Sequence, residues 1–185
     1  MKTVMLKTTV SVFVLTSTVA VGAQAPAAAP ASPKAVAQAP LPATDVTGAE
    51  IKAFIDKLPK NAISDSPIRA VDVGGYRVGV YGVFRPKAVK QDAILHEVTT
   101  TEVYYMLEGS ATLVTGGTLM DQRREPATTT TVRGSRIEGG VSRRVVPGDV
   151  VIIPGRTPHF WSNMDGDIRY LIVRSDPSNR IPLKP

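Results

Sequence analysis

The sequence predicts an all-β fold of barrel or sandwich type, preceded by one short helix. Two observations carry this. Beyond residue 68 the chain breaks into short apolar or β-branched runs separated by turn signals such as Gly74-Gly75, Pro147-Gly148-Asp149 and Asp165-Gly166-Asp167. Only one segment ahead of them, Thr47 to Leu58, has helical spacing.

The N-terminus reads as an export signal. Lys2 and Lys7 form a positive n-region, the apolar run Val10 to Val21 follows, and Val21-Gly22-Ala23 offers small residues at a cleavage end. That run is about 12 residues long, against the ~20 a bilayer-spanning helix needs. Cleavage after Ala25 also fits the A-x-A pattern but would leave Pro26 first, so residues 1–23 are taken as the signal and the protein as exported, periplasmic or secreted. Residues 24–46 are a linker dominated by Ala and Pro, with neither helical nor strand period. The segment 47–67 is a helix and lead-in. Thr47-Gly48-Ala49-Glu50 has capping-box spacing, Ile51, Phe54, Ile55 and Leu58 form one apolar stripe, and Pro59 stops the helix. Residues 68–175 form the barrel and 176–185 a tail. The predicted strands are Ile68–Val73, Tyr76–Phe84, Ala88–His96, Glu102–Leu107, Ala111–Thr115, Arg143–Val146, Val150–Ile153, His159–Ser162 and Ile168–Val173.

Composition narrows the chemistry. The chain has 185 residues, no Cys and two His, so thiol nucleophiles, disulfides, cysteine-ligated zinc and a lipid-modified cysteine are excluded. The net charge is +6, and loss of Lys2 and Lys7 with the signal reduces it to +4. The arginines cluster between the two histidines, at Arg123, Arg124, Arg133, Arg136, Arg143 and Arg144, without interleaved aromatic residues. That argues against nucleic acid. It reads as a solvated loop, with a rim for anionic substrates or an oligomer contact as the alternatives.

Both histidines lie in ordered blocks. The first runs from His96 through Glu102 to Gly109; the second is Gly148-x5-Pro154-Gly155-Arg156-Thr157-Pro158-His159-x3-Asn163. Together they resemble the two motifs of the cupin superfamily over roughly residues 68–175. The resemblance implies a double-stranded β-helix, that is, a jelly-roll barrel, and a divalent transition metal (Fe, Mn, Ni or Zn) held by His96, Glu102 and His159. Two positions depart from the pattern. Val98 stands where a second histidine of the first motif is usual, and Arg156 replaces a glycine of the second. On a strand running through His96, Val98 would face inward beside it without offering a ligand. Two His and one carboxylate still leave open positions for substrate at iron or zinc.

Strand alternation from Glu102 sends Tyr104 and Met106 inward, and alternation from His159 does the same for Trp161. These make an aromatic wall suited to an aromatic or sugar-like ligand, with Tyr104 as proton donor. On Tyr76–Phe84 the face of Val78, Val80, Gly82 and Phe84 is the more apolar and is the predicted core, leaving Arg77 and Tyr81 as pocket residues. The functional expectation is a metal-dependent enzyme acting on a small organic molecule by oxygenation, isomerisation or lyase chemistry. The alternatives are a barrel that binds a sugar or aromatic acid without turnover, and a structural or storage cupin. No membrane anchor is expected after signal cleavage, and the resemblance implies pairing as a homodimer.

Overall fold

The computed structural model describes residues 40–124 and 130–185. The signal and most of the linker lie outside the described residues. The capping box forms as expected: Glu50 N donates to Thr47 Oγ1 and Thr47 N to Glu50 Oε2, opening helix α1 (Gly48–Lys57). Among the described residues no helix is long and apolar enough to cross a membrane.

Thirteen strands follow in the described chain. They are β1 (Ser64–Asp72), β2 (Arg77–Arg85), β3 (Ala93–His96), β4 (Thr101–Glu108), β5 (Ala111–Thr115), β6 (Thr118–Met120) and β7 (Arg123–Arg124). After them come β8 (Thr131–Gly134), β9 (Arg136–Glu138), β10 (Val141–Val145), β11 (Val150–Ile153), β12 (His159–Met164) and β13 (Ile168–Asp176). One sheet has the order β1-β2-β13-β4-β11, a second β10-β5-β12-β3-β8-β7, and β6 pairs with β9. All of these pairings are antiparallel, and strands distant in sequence lie side by side, as in a jelly roll. The two large sheets pack on each other through one apolar core. Tyr81, Val83, Met106, Tyr170 and Ile172 enter from the first; Leu113, Val145, Trp161 and Met164 enter from the second.

Several sequence expectations need correction. The barrel begins at Ser64 rather than 68, because pairing with Phe84 and Val83 of β2 draws in a Ser-Asp-Ser-Pro segment with little strand propensity of its own. The first-motif strand is shorter, starting at Ala93, and the last strand continues to Asp176. The segment read as a solvated loop carries β6 to β9, with β8 paired to β3 along Ala93–His96. Most of its arginines nevertheless face solvent and pair locally: Arg123 with Asp92, Arg124 with Glu97, Arg136 with Asp121 and Glu138, and Arg144 with Asp165.

The two faces of β2 are also exchanged relative to expectation. Tyr81 and Val83 enter the barrel, while Phe84 packs under α1 with Ile55 and Leu58. Both faces are covered, so apolarity alone could not show which one looks inward. Gly82 permits the helix to dock, since a Cβ there would stand 2.8 Å from Phe54 Cδ1.

Candidate metal centre

His96 ends β3, His159 opens β12 in the same sheet, and Glu102 lies on β4 in the opposing sheet. The fold brings the three together. Their ligating atoms lie within 4.8 Å of one another: His159 Nε2 is 3.2 Å from Glu102 Oε2, and His96 Nε2 is 3.6 Å from Glu102 Oε1. Glu102 is 1% exposed and His159 is 3% exposed.

Each imidazole is oriented through its other nitrogen. His159 Nδ1 lies 2.9 Å from the Thr157 carbonyl oxygen, which only accepts, so Nδ1 carries a proton and Nε2 is the ring atom turned toward Glu102. His96 Nδ1 lies 3.1 Å from Thr131 Oγ1. Neither Nε2 has a hydrogen-bond partner, although both are buried. Burial, opposed by the charge of Glu102, pushes the His96 imidazole down to about 4, so it is neutral near pH 7. Burial alone would raise the Glu102 carboxyl. The facing His159 ring and the Arg174 guanidinium outweigh that effect and hold it well below the usual carboxylate range.

The arrangement is therefore two imidazole Nε2 atoms turned on one buried carboxylate. Donors held ~2.1 Å from one ion at tetrahedral or octahedral angles stand ~3.0–3.4 Å apart, close to the 3.2 and 3.6 Å between Glu102 and the two histidines. The residues fit a divalent cation. The outer contacts at Nδ1 are of the kind that fix imidazole ligands in metal sites.

The sequence reading missed Arg174. It sits on β13 opposite Glu102, and its Nε donates to Glu102 Oε1 at 2.7 Å. Its Nη atoms grip Asp65 at 3.1 and 2.6 Å, and the guanidinium lies 4.2 Å from the Tyr81 ring centroid. Glu102 thus has one oxygen committed to Arg174 and the other turned to His159. The signal was present in the alternation Tyr170, Ile172, Arg174, but the predicted strand stopped one residue short.

Tyr104 Oη donates to Glu102 Oε2 at 3.3 Å, and burial raises its phenol well above the ordinary value. Trp161 stacks on Tyr104 with centroids 6.2 Å apart and donates through Nε1 to Tyr170 Oη at 3.2 Å. This aromatic cluster is packed into the core and does not form an open wall. Met106 is 2% exposed and fills the same core, so the structure does not bring it to the cavity. Arg77 is likewise elsewhere: its Nη1 donates to the carbonyls of Asn179 and Ile181 and ties down the C-terminal tail, which also pairs Lys184 with Ala70.

Two cavities flank His96. One, of about 230 Å³, includes Tyr81, Val98, Thr100 and Arg174. Val98 lies in the bend after β3, so it reaches the site through the turn rather than by strand alternation. The other, of about 450 Å³, includes Arg85, Ile94, Thr131 and Arg174. Arg156, at the motif position where glycine is usual, adopts a left-handed φ of 62° and donates through Nε to the Glu97 carbonyl at 3.2 Å.

The histidine of each motif opens or closes a strand of one sheet, the glutamate faces them from the other, and the glycines Gly109 and Gly148 make turns at positive φ. The chain has the cupin fold. No protein-family model matches it, and no curated protein matches it. Solved structures similar to it include protein BH2720 of Bacillus halodurans, at 14% identity over 78% of this chain and 88% of that one, with a TM-score of 0.46. An RmlC-like cupin family protein with a double-stranded β-helix fold from Methanocaldococcus jannaschii is 13% identical over 65% and 87%, with a TM-score of 0.38. The DMSP lyase DddQ of Ruegeria pomeroyi is 17% identical over 78% and 80%, with a TM-score of 0.40.

Proposed function

We propose that this chain is an exported cupin-fold enzyme that uses a divalent transition metal, of the Fe, Mn, Ni or Zn class, on a small organic molecule. The observation that carries the reading is the pair of buried, unpartnered Nε2 atoms facing the Glu102 carboxylate. A cation held among these three groups would compensate the buried carboxylate and give each Nε2 a partner. A metal bound there supplies Lewis acidity, or activates dioxygen, at its remaining positions. The protein's own contribution is positional. Thr157 and Thr131 set the rings, and Arg174 fixes the carboxylate. Tyr104 keeps its phenolic proton at Oη, hydrogen-bonded to Glu102, as the donor nearest the site. The reaction class is dioxygenase, isomerase or lyase.

A second reading has its own support. Arg174 already neutralises Glu102 internally, which suits a metal-free barrel that binds a sugar or aromatic acid without turnover. Elemental analysis of protein purified without metal-affinity steps separates the two. One transition metal per chain, lost in His96→Ala and His159→Ala variants that still fold, supports the enzyme. Metal-free protein that takes up no added Fe(II), Mn(II), Ni(II) or Zn(II) supports the binding module. For export, the mature N-terminus recovered outside the cytoplasm is expected to be Gln24.

A further inference from the structure

Arg85 is the last residue of β2, on the barrel-facing side with Tyr81 and Val83, and it is 9% exposed. It lines the cavity of about 450 Å³ next to His96. Its Nε donates to Tyr170 Oη at 2.7 Å and its Nη1 to Gln91 Oε1 at 2.9 Å. Both partners are neutral and both are held in place. Tyr170 Oη also accepts from Trp161, and the Gln91 amide nitrogen donates to the Val89 carbonyl at 2.6 Å. Among the described residues no carboxylate lies within ion-pair distance of Arg85, and both N–H groups of Nη2 lack a protein acceptor. Of the other charges on this lining, Asp65 pairs with Arg174 and Asp92 with Arg123, and Arg133 is engaged elsewhere in the structure.

A buried cation without a counter-ion costs several kcal/mol unless something in the site compensates it. A guanidinium presents its free N–H groups as a planar fork, which matches a carboxylate. We infer that Arg85 binds the carboxylate of a small monoanionic ligand whose body lies in the cavity toward His96. Ile63 and Ile94 supply apolar wall for that body, which inorganic phosphate lacks. Calling this ligand the substrate rests on the metal-enzyme reading; the anion site itself stands on Arg85 alone.

Calorimetric titration of the mature protein with benzoate and butyrate, against benzamide, butyramide and inorganic phosphate, tests it. At least one acid is expected to bind ten times more tightly than its amide and more tightly than phosphate. Arg85→Met is expected to reduce that affinity about 10- to 100-fold, the range of a charge-assisted bidentate contact, with Arg85→Lys in between. Amides binding as well as acids, phosphate binding best, or Arg85→Met keeping full affinity would each overturn the inference. If Arg85→Met does not fold, the acid–amide comparison on the unaltered chain and the Lys variant decide. Metal content measured on the same samples keeps the two readings apart. Acid binding without metal refutes only the metal centre, and metal without acid preference refutes only Arg85.

Discussion

Replacing Arg174 by methionine removes the cation that Glu102 and Asp65 share while keeping most of the side-chain volume. Glu102 is 1% exposed and would lose a contact of 2.7 Å; Asp65 would lose a two-point grip at 2.6 and 3.1 Å. Breaking a buried pair from one side costs about 3–5 kcal/mol, because the remaining charge stays buried and uncompensated. For a domain of this size that corresponds to a fall in Tm of roughly 10 °C. The effect has a defined pH dependence. The folded carboxyl of Glu102 lies below its unfolded value of 4.5, so its contribution is present above about pH 4.5 and is lost as pH falls through the folded value. The gap between wild type and variant is therefore expected to be widest at neutral pH and to narrow in acid. Urea denaturation at pH 7 and pH 4, with the Asp65→Asn and double variants, measures it. Asp65→Asn in the Arg174→Met background should cost at least 1 kcal/mol less than in wild type. A loss below 1 kcal/mol for Arg174→Met, or strict additivity in the cycle, would refute the view that this arginine holds the carboxylates.

Three further outcomes follow from the same geometry. In metal-free protein the His96 imidazole titrates at about 4 instead of 6.5, so the unfolded chain takes up its proton first. Stability should therefore drop by about 2–3 kcal/mol between pH 7 and pH 4.5, and His96→Gln should remove that component, as read by urea titration. Val98→His adds an imidazole to the turn beside His96 and is expected to tighten zinc binding at least ~10-fold, about 1.4 kcal/mol, in a chelator competition; unchanged affinity would show that the turn does not direct position 98 to the site. Gly109 has a φ of 78°, and a Cβ there would stand 2.3 Å from the Asp167 carbonyl oxygen. Gly109→Ala should cost about 2–4 kcal/mol in thermal or chemical denaturation, with metal stoichiometry retained by the folded fraction.

Much of this molecule was legible before any coordinates. The capping box at Thr47 and Glu50, the runs Ala111–Thr115 and Val150–Ile153, and the glycine turns all depend on local backbone preference and short-range hydrogen bonds, which a linear pattern records. The resemblance of the two blocks to the cupin motifs likewise implied one site for His96, Glu102 and His159, and the fold brings them together. What stayed hidden depended on pairing and enclosure. β8 is a strand because it lies against β3, and no apolar alternation in Thr-Val-Arg-Gly announces it. The inward face of β2 was misassigned because α1 covers the other face equally well. Arg85 and Arg174 each lie one residue past the end of a predicted strand, and only the paired sheets show that the first is buried and the second half-buried. By itself the sequence determined an all-β chain with a short leading helix, and its resemblance to the cupin motifs implied the three candidate ligands. Only the tertiary structure decided which charges meet, because burial and counter-ion geometry are set by residues far apart in the chain: Arg174 with Asp65 and Glu102, and Arg85 with no carboxylate among the described residues.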